Sequence, residues 1–198
     1  MQRIERPGYS IELYVPDAND VQQQYLQQKN APFPHWSKLW PSSLGLTDFI
    51  FHHPEYVQGK NVLELAAGLG LPSLMAARYA KTVCASDYVP EAVDAMKRSS
   101  TGVINLSCRL LDWNDLPNDL APDVLLLSDI NYDPGQFDHL YKVLQRFLQQ
   151  GVTILLSTPQ RLMAKPFIEK LLPDTRQQFD MEIDNTFIFI AVIARTAF

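Results

Sequence analysis

The stretch "VLELAAGLGLPSL", residues 62–74, decides the fold. Val62 to Leu65 read as a short strand, Gly68 and Gly70 as a turn, and Pro72 as the start of a helix, where a missing amide hydrogen costs little. Such a unit brings backbone N–H groups close to a ligand, although close packing of helix on strand asks for the same glycines. It is no phosphate loop, which requires Gly-Lys-Ser/Thr. A dinucleotide fingerprint wants a third glycine at the helix start, where this chain has Pro72 and Ser73.

Outward from this unit the pattern is regular. "NVLEL", "TVCASD", "VINLSCRL", "DVLLLSD" and "VTILLST" are β-rich runs separated by helix-like stretches such as "PEAVDAMKRSS" and "GQFDHLYKVLQRFLQQ". That alternation predicts βαβ units and a parallel sheet covered on both faces. After the helix "RLMAKPFIEKLL", the runs "RQQFDMEID" and "NTFIFIAVIAR" meet at Asp184 and Asn185, a connection too short for a parallel crossover, so an antiparallel hairpin is expected. Upstream, "YSIELYV" alternates as a half-buried strand with Ile11, Leu13 and Val15 on one face, and "DANDVQQQYLQQ" reads as a solvated helix. No repeat or linker divides the chain. Residues 1–198 are expected to form one domain, with 1–43 an N-terminal strand and helix extension and 44–198 the core.

A length of 198 residues and a net charge of -5 fit one acidic domain and disfavour a general nucleic-acid binder, which carries a basic face. Cys84 and Cys108 stand alone in apolar segments without zinc spacing, and are expected to be buried structural thiols. The start "MQRIERPGYS" lacks a signal-peptide core, and "FIFIAVIA" is too short to span a membrane as a helix. A cytoplasmic setting with no membrane partner is expected. His35, His52, His53 and His139 fit no metal spacing and no nucleophilic triad, and read as surface or capping residues.

Acidic residues end the second, third and fourth of these strands. Asp87 stands where an acid in doubly wound folds accepts hydrogen bonds from a ribose diol, and equally where it could cap the following helix. In "LLDWND", Asp112 can accept from an exocyclic amine and Trp113 offers a flat face to a purine; alone, the pair would be a turn with one packed tryptophan. In "SDINYDP", residues 128–134, Asp133 and Pro134 suit a helix start, which leaves Asp129 and Tyr132 over and Asn131 unassigned. Gly68, Gly70, Asp87 and Asp112 all lie at carboxyl ends of strands, where open α/β sheets bind ligands.

Together, "KLWPSSLGL", "LELAAGLGLPSL", "LDWND" and "SDINYDP" resemble the motifs of the seven-strand S-adenosylmethionine-dependent methyltransferases, within them the DxxY protein-lysine methyltransferases. The resemblance implies an α/β, Rossmann-like doubly wound fold: a mostly parallel seven-stranded sheet with a C-terminal antiparallel hairpin. It implies S-adenosylmethionine as cofactor, S-adenosylhomocysteine as product and a lysine of a protein as acceptor. Glu64 and the backbone from Ala66 through Gly68 to Gly70 would hold the methionine portion, Asp87 the ribose, and Asp112 with Trp113 the adenine. Trp40 would close the sulfonium side, or anchor its helix in the core, and Ser128 would join the cofactor contacts. Ala66 replaces the first glycine of the family's ExGxGxG.

Asp129 and Tyr132 would then be catalytic. Methyl transfer to an amine needs alignment and no metal. A lysine presented as free base at pH 7 costs about 4–5 kcal/mol unless its pKa near 10.4 is lowered. A carboxylate at Asp129 would attract the ammonium and stabilise charge growing on nitrogen, and Tyr132 would orient the amine. Two alternatives stand beside this reading: methylation of a small nicotinamide-like amine, and a non-catalytic cofactor-binding module. Target recognition is expected in the N-terminal segment through Ser43 and in loops such as "STPQRLMAKP".

Overall fold

Ile4 alone of the first strand turns inward, while Tyr9, Ile11 and Leu13 of the second are all buried. These strands, β1 (Gln2–Arg6) and β2 (Tyr9–Leu13), pair antiparallel around Pro7 and Gly8, with Gly8 at φ 89°. The sequence reading found β2 and missed β1, whose polar and charged residues at all its other positions mask the single inward isoleucine. The computed structural model describes residues 1–27 and 33–195. Helix α1 (Ala18–Gln27) follows; the expected last residue of that helix, Gln28, and residues 28–32 of the expected recognition segment lie outside the described residues.

The core then alternates as expected: α2 (Pro41–His52), β3 (Asn61–Glu64), α3 (Leu71–Ala76), β4 (Thr82–Asp87), α4 (Pro90–Ser99), β5 (Leu106–Leu110), β6 (Val124–Ser128), α5 (Phe137–Gln149), β7 (Thr153–Pro159), α6 (Lys165–Leu171), β8 (Thr175–Ile183) and β9 (Thr186–Ile193). A seven-stranded sheet has the order β5-β4-β3-β6-β7-β9-β8. Strands β3 to β7 are parallel, and β9 runs antiparallel between β7 and β8. The hairpin turns through Asp184 and Asn185 at φ 49° and 61°, residue types that tolerate the left-handed region. The fold is the doubly wound, Rossmann-like α/β architecture.

Strand β6 explains its own burial: a strand inside a parallel sheet is covered on both faces, and Val124 through Leu127 are fully enclosed. Val62, Val83 and Leu126 face Phe49 of α2, Met75 of α3, Ala95 of α4 and the β1–β2 hairpin. Leu63, Leu125 and Leu156 face Leu144 and Phe147 of α5 and Phe167 of α6. Cys84 and Cys108 sit half-buried on adjacent strands β4 and β5, so the expectation of full burial is corrected: β5 is an edge strand and leaves that flank of the sheet partly open. Among the described residues no helix is long and apolar enough to cross a membrane.

Two polar contacts hold the frame beneath the switch between β3 and β6, where chain winding reverses. Asp48 of α2, its side chain 13% exposed, accepts from Arg6 Nη2 at 2.5 Å and from Tyr9 Oη at 2.6 Å, tying the hairpin to the core. Glu64, fully enclosed at the end of β3, accepts through Oε2 from Ser73 N at 3.0 Å and Ser73 Oγ at 2.5 Å, so strand end and helix start are clamped across the glycine turn. Its Oε1 has no partner. Burial pushes this carboxyl up to about 8, against the pull of the two Ser73 donors.

Asp48→Ala strands Arg6 and Tyr9 without their acceptor and is expected to lower the unfolding free energy in urea by about 2–3 kcal/mol, with Asp48→Asn recovering part of the loss. For Glu64, the folded protein holds a proton that the unfolded chain, at an ordinary 4.5, has already released; its ionisation therefore subtracts stability as pH rises toward about 8. Glu64→Gln mimics the protonated side chain, so its stability advantage over wild type should grow from pH 5 to pH 8 by roughly 2–4 kcal/mol. Parallel melting curves across that range check it; equal slopes would contradict a buried, protonated Glu64.

Candidate active site

A cleft of about 390 Å³ opens at the carboxyl ends of the parallel strands. Its walls are Ala66 to Leu69 after β3, Asp87 to Glu91 after β4, Trp113 after β5, Ser128 to Ile130 and Tyr132 after β6, and Arg161 after β7. The segment from Phe33 to Trp40, together with Val21 and Tyr25 of α1, forms its roof. Of the residues named from sequence, Trp40, Ala66, Gly68, Asp87, Trp113, Ser128, Asp129 and Tyr132 meet in this one cleft; Glu64, Gly70 and Asp112 do not line it.

The turn after β3 alternates into the left-handed region at Ala66 (φ 52°), Gly68 (φ 55°) and Gly70 (φ 73°). Ala66 carries a methyl group there at a cost of about 1–2 kcal/mol. Gly68 has a second reason to be glycine, because a Cβ would lie 3.2 Å from the carbonyl oxygen of Trp36 in the roof. Gly70 serves packing rather than the cleft: its Cβ would meet Met96 Cγ of α4 at 2.9 Å. Glu64 likewise stands behind the turn, clamped to Ser73.

Asp87 joins two turns. Its Oδ2 accepts from Gly68 N at 2.9 Å and its Oδ1 from Val89 N at 3.0 Å, and the residue is 4% exposed. Burial pushes its carboxyl up, while the amides of Val89, Gly68 and Tyr88 pull it down. Asp87 is therefore not the N-cap itself, a position held by Val89, but it fixes the entry to α4 through the Val89 amide, and each oxygen keeps acceptor capacity beyond its one amide donor. Tyr88, half exposed on the cleft wall, was not singled out from sequence. Asp112 uses Oδ1 on Asn114 N and Nδ2, at 2.9 and 2.8 Å, and so caps the turn that carries Trp113 into the cleft. His139 of α5 contacts the Trp113 carbonyl oxygen at 3.2 Å.

The stretch after β6 divides as the sequence suggested. Asp133 accepts from Gly135 N at 2.9 Å and starts the turn into α5. Asp129 sits at φ 56°, its N–H donating to Ser157 O at 2.9 Å, which swings its carboxylate across toward the loop after β7. There it meets Arg161: Nη1 donates to Oδ1, and Nη2 to Oδ2 at 3.0 Å. Sequence reasoning left Arg161 inside a recognition loop, and no local signal ties it to a residue on another strand. Asn131, unassigned before, is fully buried and accepts at Oδ1 from Thr158 Oγ1 at 2.6 Å, pinning the motif to β7.

His35 adds to another expectation. It is exposed, as a surface histidine should be, and it also lines the roof, its ring 5.3 Å from that of Tyr132 and 6.0 Å from that of Trp40, whose Nε1 donates to His35 O at 2.8 Å. Phe33 lies 4.7 Å beyond His35. An aromatic strip thus runs from the cleft mouth to Tyr132, whose phenol is pushed up by burial first and then by Tyr88 and nearby acids, and so stays protonated. Among the described residues no group of three or more His, Cys, Asp or Glu side chains converges as a metal site would require.

The chain is similar to known proteins on several levels. The electron transfer flavoprotein beta subunit lysine methyltransferase of Rattus norvegicus is 31% identical over 138 residues, covering 65% of this chain and 51% of the relative. The histone-arginine methyltransferase METTL23 of Xenopus laevis is 28% identical over 120 residues, covering 57% of this chain and 51% of the relative. The chain spans about half the length of these two relatives. In fold, it matches the N-methyltransferase NodS from Bradyrhizobium japonicum WM9, solved with S-adenosyl-L-homocysteine, at a TM-score of 0.67 and 13% identity over 88% of this chain and 97% of that one. A family profile described as lysine methyltransferase matches residues 5–174, from within β1 to the residue before β8. The chain belongs to the lysine methyltransferase family.

Proposed function

We propose that this chain transfers a methyl group from S-adenosylmethionine to a lysine side chain of a protein. One observation carries the reading: the glycine turn anchored by Asp87 and the Asp129–Tyr132 pair flank a single cleft. Family membership supports a protein acceptor.

The residues of the cleft fit that cofactor. A cleft of about 390 Å³ falls in the range, about 300–1,000 Å³, of sites that enclose a ligand of this size. Asp87 offers a ribose diol one lone pair on each oxygen, and Ala66 to Gly68 turn a backbone without bulky side chains toward the methionine end. Trp113 presents its ring beside Leu65 and Leu111 for a purine. When bound, S-adenosylmethionine supplies an electrophilic methyl group on a sulfonium sulfur. Trp40 and Tyr132 give soft aromatic faces near that charge.

For the acceptor, the strip of Phe33, His35 and Tyr132 offers aromatic faces along a path for the alkyl stem of a lysine, whose contact with them would shed water. Desolvation favours the neutral amine, the only form with a lone pair to react. Asp129 stands where positive charge grows on nitrogen during transfer, and a carboxylate fixed in place stabilises that change without reorganising.

Isothermal calorimetry of the purified chain with S-adenosylmethionine is expected to give micromolar affinity, weakened at least about tenfold by Asp87→Ala. With radiolabelled donor and extract from cells lacking the protein, label should enter a protein band. Asp129→Asn should bind cofactor like wild type and transfer methyl at least about tenfold more slowly. Absence of binding, or label confined to small molecules, would overturn the proposal.

A further inference from the structure

Asp129 is not a lone anion waiting for a cation. Its side chain is 8% exposed, and both oxygens already receive hydrogen bonds from one guanidinium in a fork-to-fork pair. Arg161 in turn is well held: its N–H donates to Pro159 O at 2.9 Å, its carbonyl accepts from Ala164 N at 3.0 Å, and the preceding Gln160 N–H donates to Phe187 O at 3.2 Å. Resting on the methyltransferase reading above, we propose that Arg161 is a positioning and specificity-determining residue, which cancels the charge of Asp129 beside the acceptor, admits lysine as its free amine and turns away arginine.

Displacement of Arg161 by an incoming ammonium is the alternative, and geometry argues against it. An ammonium is a point charge and cannot replace two parallel hydrogen bonds, and breaking a largely enclosed pair leaves one partner uncompensated. The guanidinium therefore stays, with three consequences. It locks the Asp129 carboxylate in one orientation. Its positive charge opposes the like charge of an incoming ammonium, so the amine is favoured without its proton. It also disfavours a substrate guanidinium, which cannot shed its proton near neutral pH and would face Arg161 with no unpaired carboxylate beside it. Of the other acids on the cleft wall, Asp87 is bound to Gly68 and Val89, and Glu91 lies exposed at the start of α4.

The remaining titratable groups facing the pocket are known. From the roof and α1 come His35, Lys38 and Tyr25; from β4 and its loop, Asp87, Tyr88 and Glu91; from the Asp129 loop itself, Tyr132. Replacing Arg161 leaves each of them in place, so a change in pH profile on that replacement reports on the pair.

The test uses the purified chain, radiolabelled S-adenosylmethionine and extract from cells lacking the protein, with initial rates from pH 6 to 10 and the labelled band hydrolysed to amino acids. Label is expected as methyllysine, with a rate that rises along an alkaline limb. Arg161→Gln exposes the Asp129 charge to the acceptor and should move that limb about one pH unit higher, lowering kcat at pH 7 about tenfold without raising KM. Arg161→Lys restores the charge without the fork and should keep the limb near its wild-type position at reduced rate, which covers the case in which Arg161→Gln does not fold. Calorimetry should find cofactor affinity unchanged in both. An unmoved limb in Arg161→Gln overturns the role of Arg161 while transfer to lysine stands; methylarginine in the hydrolysate overturns both readings. No label in any protein with the wild-type chain overturns both readings.

Discussion

The carboxylate of Asp87 fastens together the two turns on which the cleft is built. One oxygen holds the amide of Gly68 and the other the amide of Val89, so the loops after β3 and β4 are tied to each other. Each such bond to a charged acceptor is worth about 1.5–3 kcal/mol, more than an ordinary backbone contact. With that link in place, the left-handed steps at Ala66, Gly68 and Gly70 are held against their conformational cost, α4 packs Met96 onto Gly70, and Trp36 can lie directly over Gly68. The roof rests on the floor because a side chain is missing at one residue.

Beneath this link sits Glu64, and its neighbourhood explains a division of labour between two acids at adjacent strand ends. Glu64 is sealed away, protonated and clamped to Ser73, a structural latch between β3 and α3. Burial pushes the Asp87 carboxyl up as well, but the amides of Val89, Gly68 and Tyr88 pull it back toward its charged form. The same residue chemistry therefore closes the frame at one strand end and ties two cleft turns together at the next.

On the opposite wall, Asp129 and Arg161 form a unit whose charge cancels. A single carboxylate would hold a lysine as ammonium, attracted strongly and unable to react. In the proposed reading, a paired one keeps its orientation and does not trap the protonated acceptor.

Much of this was legible in order of residues. Alternating apolar runs and their lengths determined the parallel sheet, the closing hairpin at Asp184 and Asn185, and the placing of Gly68, Asp87, Trp113 and Asp129 at strand ends, because periodicity and turn chemistry act over a few residues. The first strand escaped because one inward isoleucine makes no pattern. Glu64, Gly70 and Asp112 carried motif positions yet face away from the cleft, since a turn's backbone angles, not its composition, aim each side chain. Arg161 and His35 were invisible for a different reason: each acquires its role from a partner far along the chain, Asp129 for one and Tyr132 for the other. Sequence by itself determined that Gly68, Asp87, Trp113 and Asp129 stand at strand ends; only the tertiary structure decided that Asp129 is paired with Arg161, because neutralisation depends on distances that chain order does not contain.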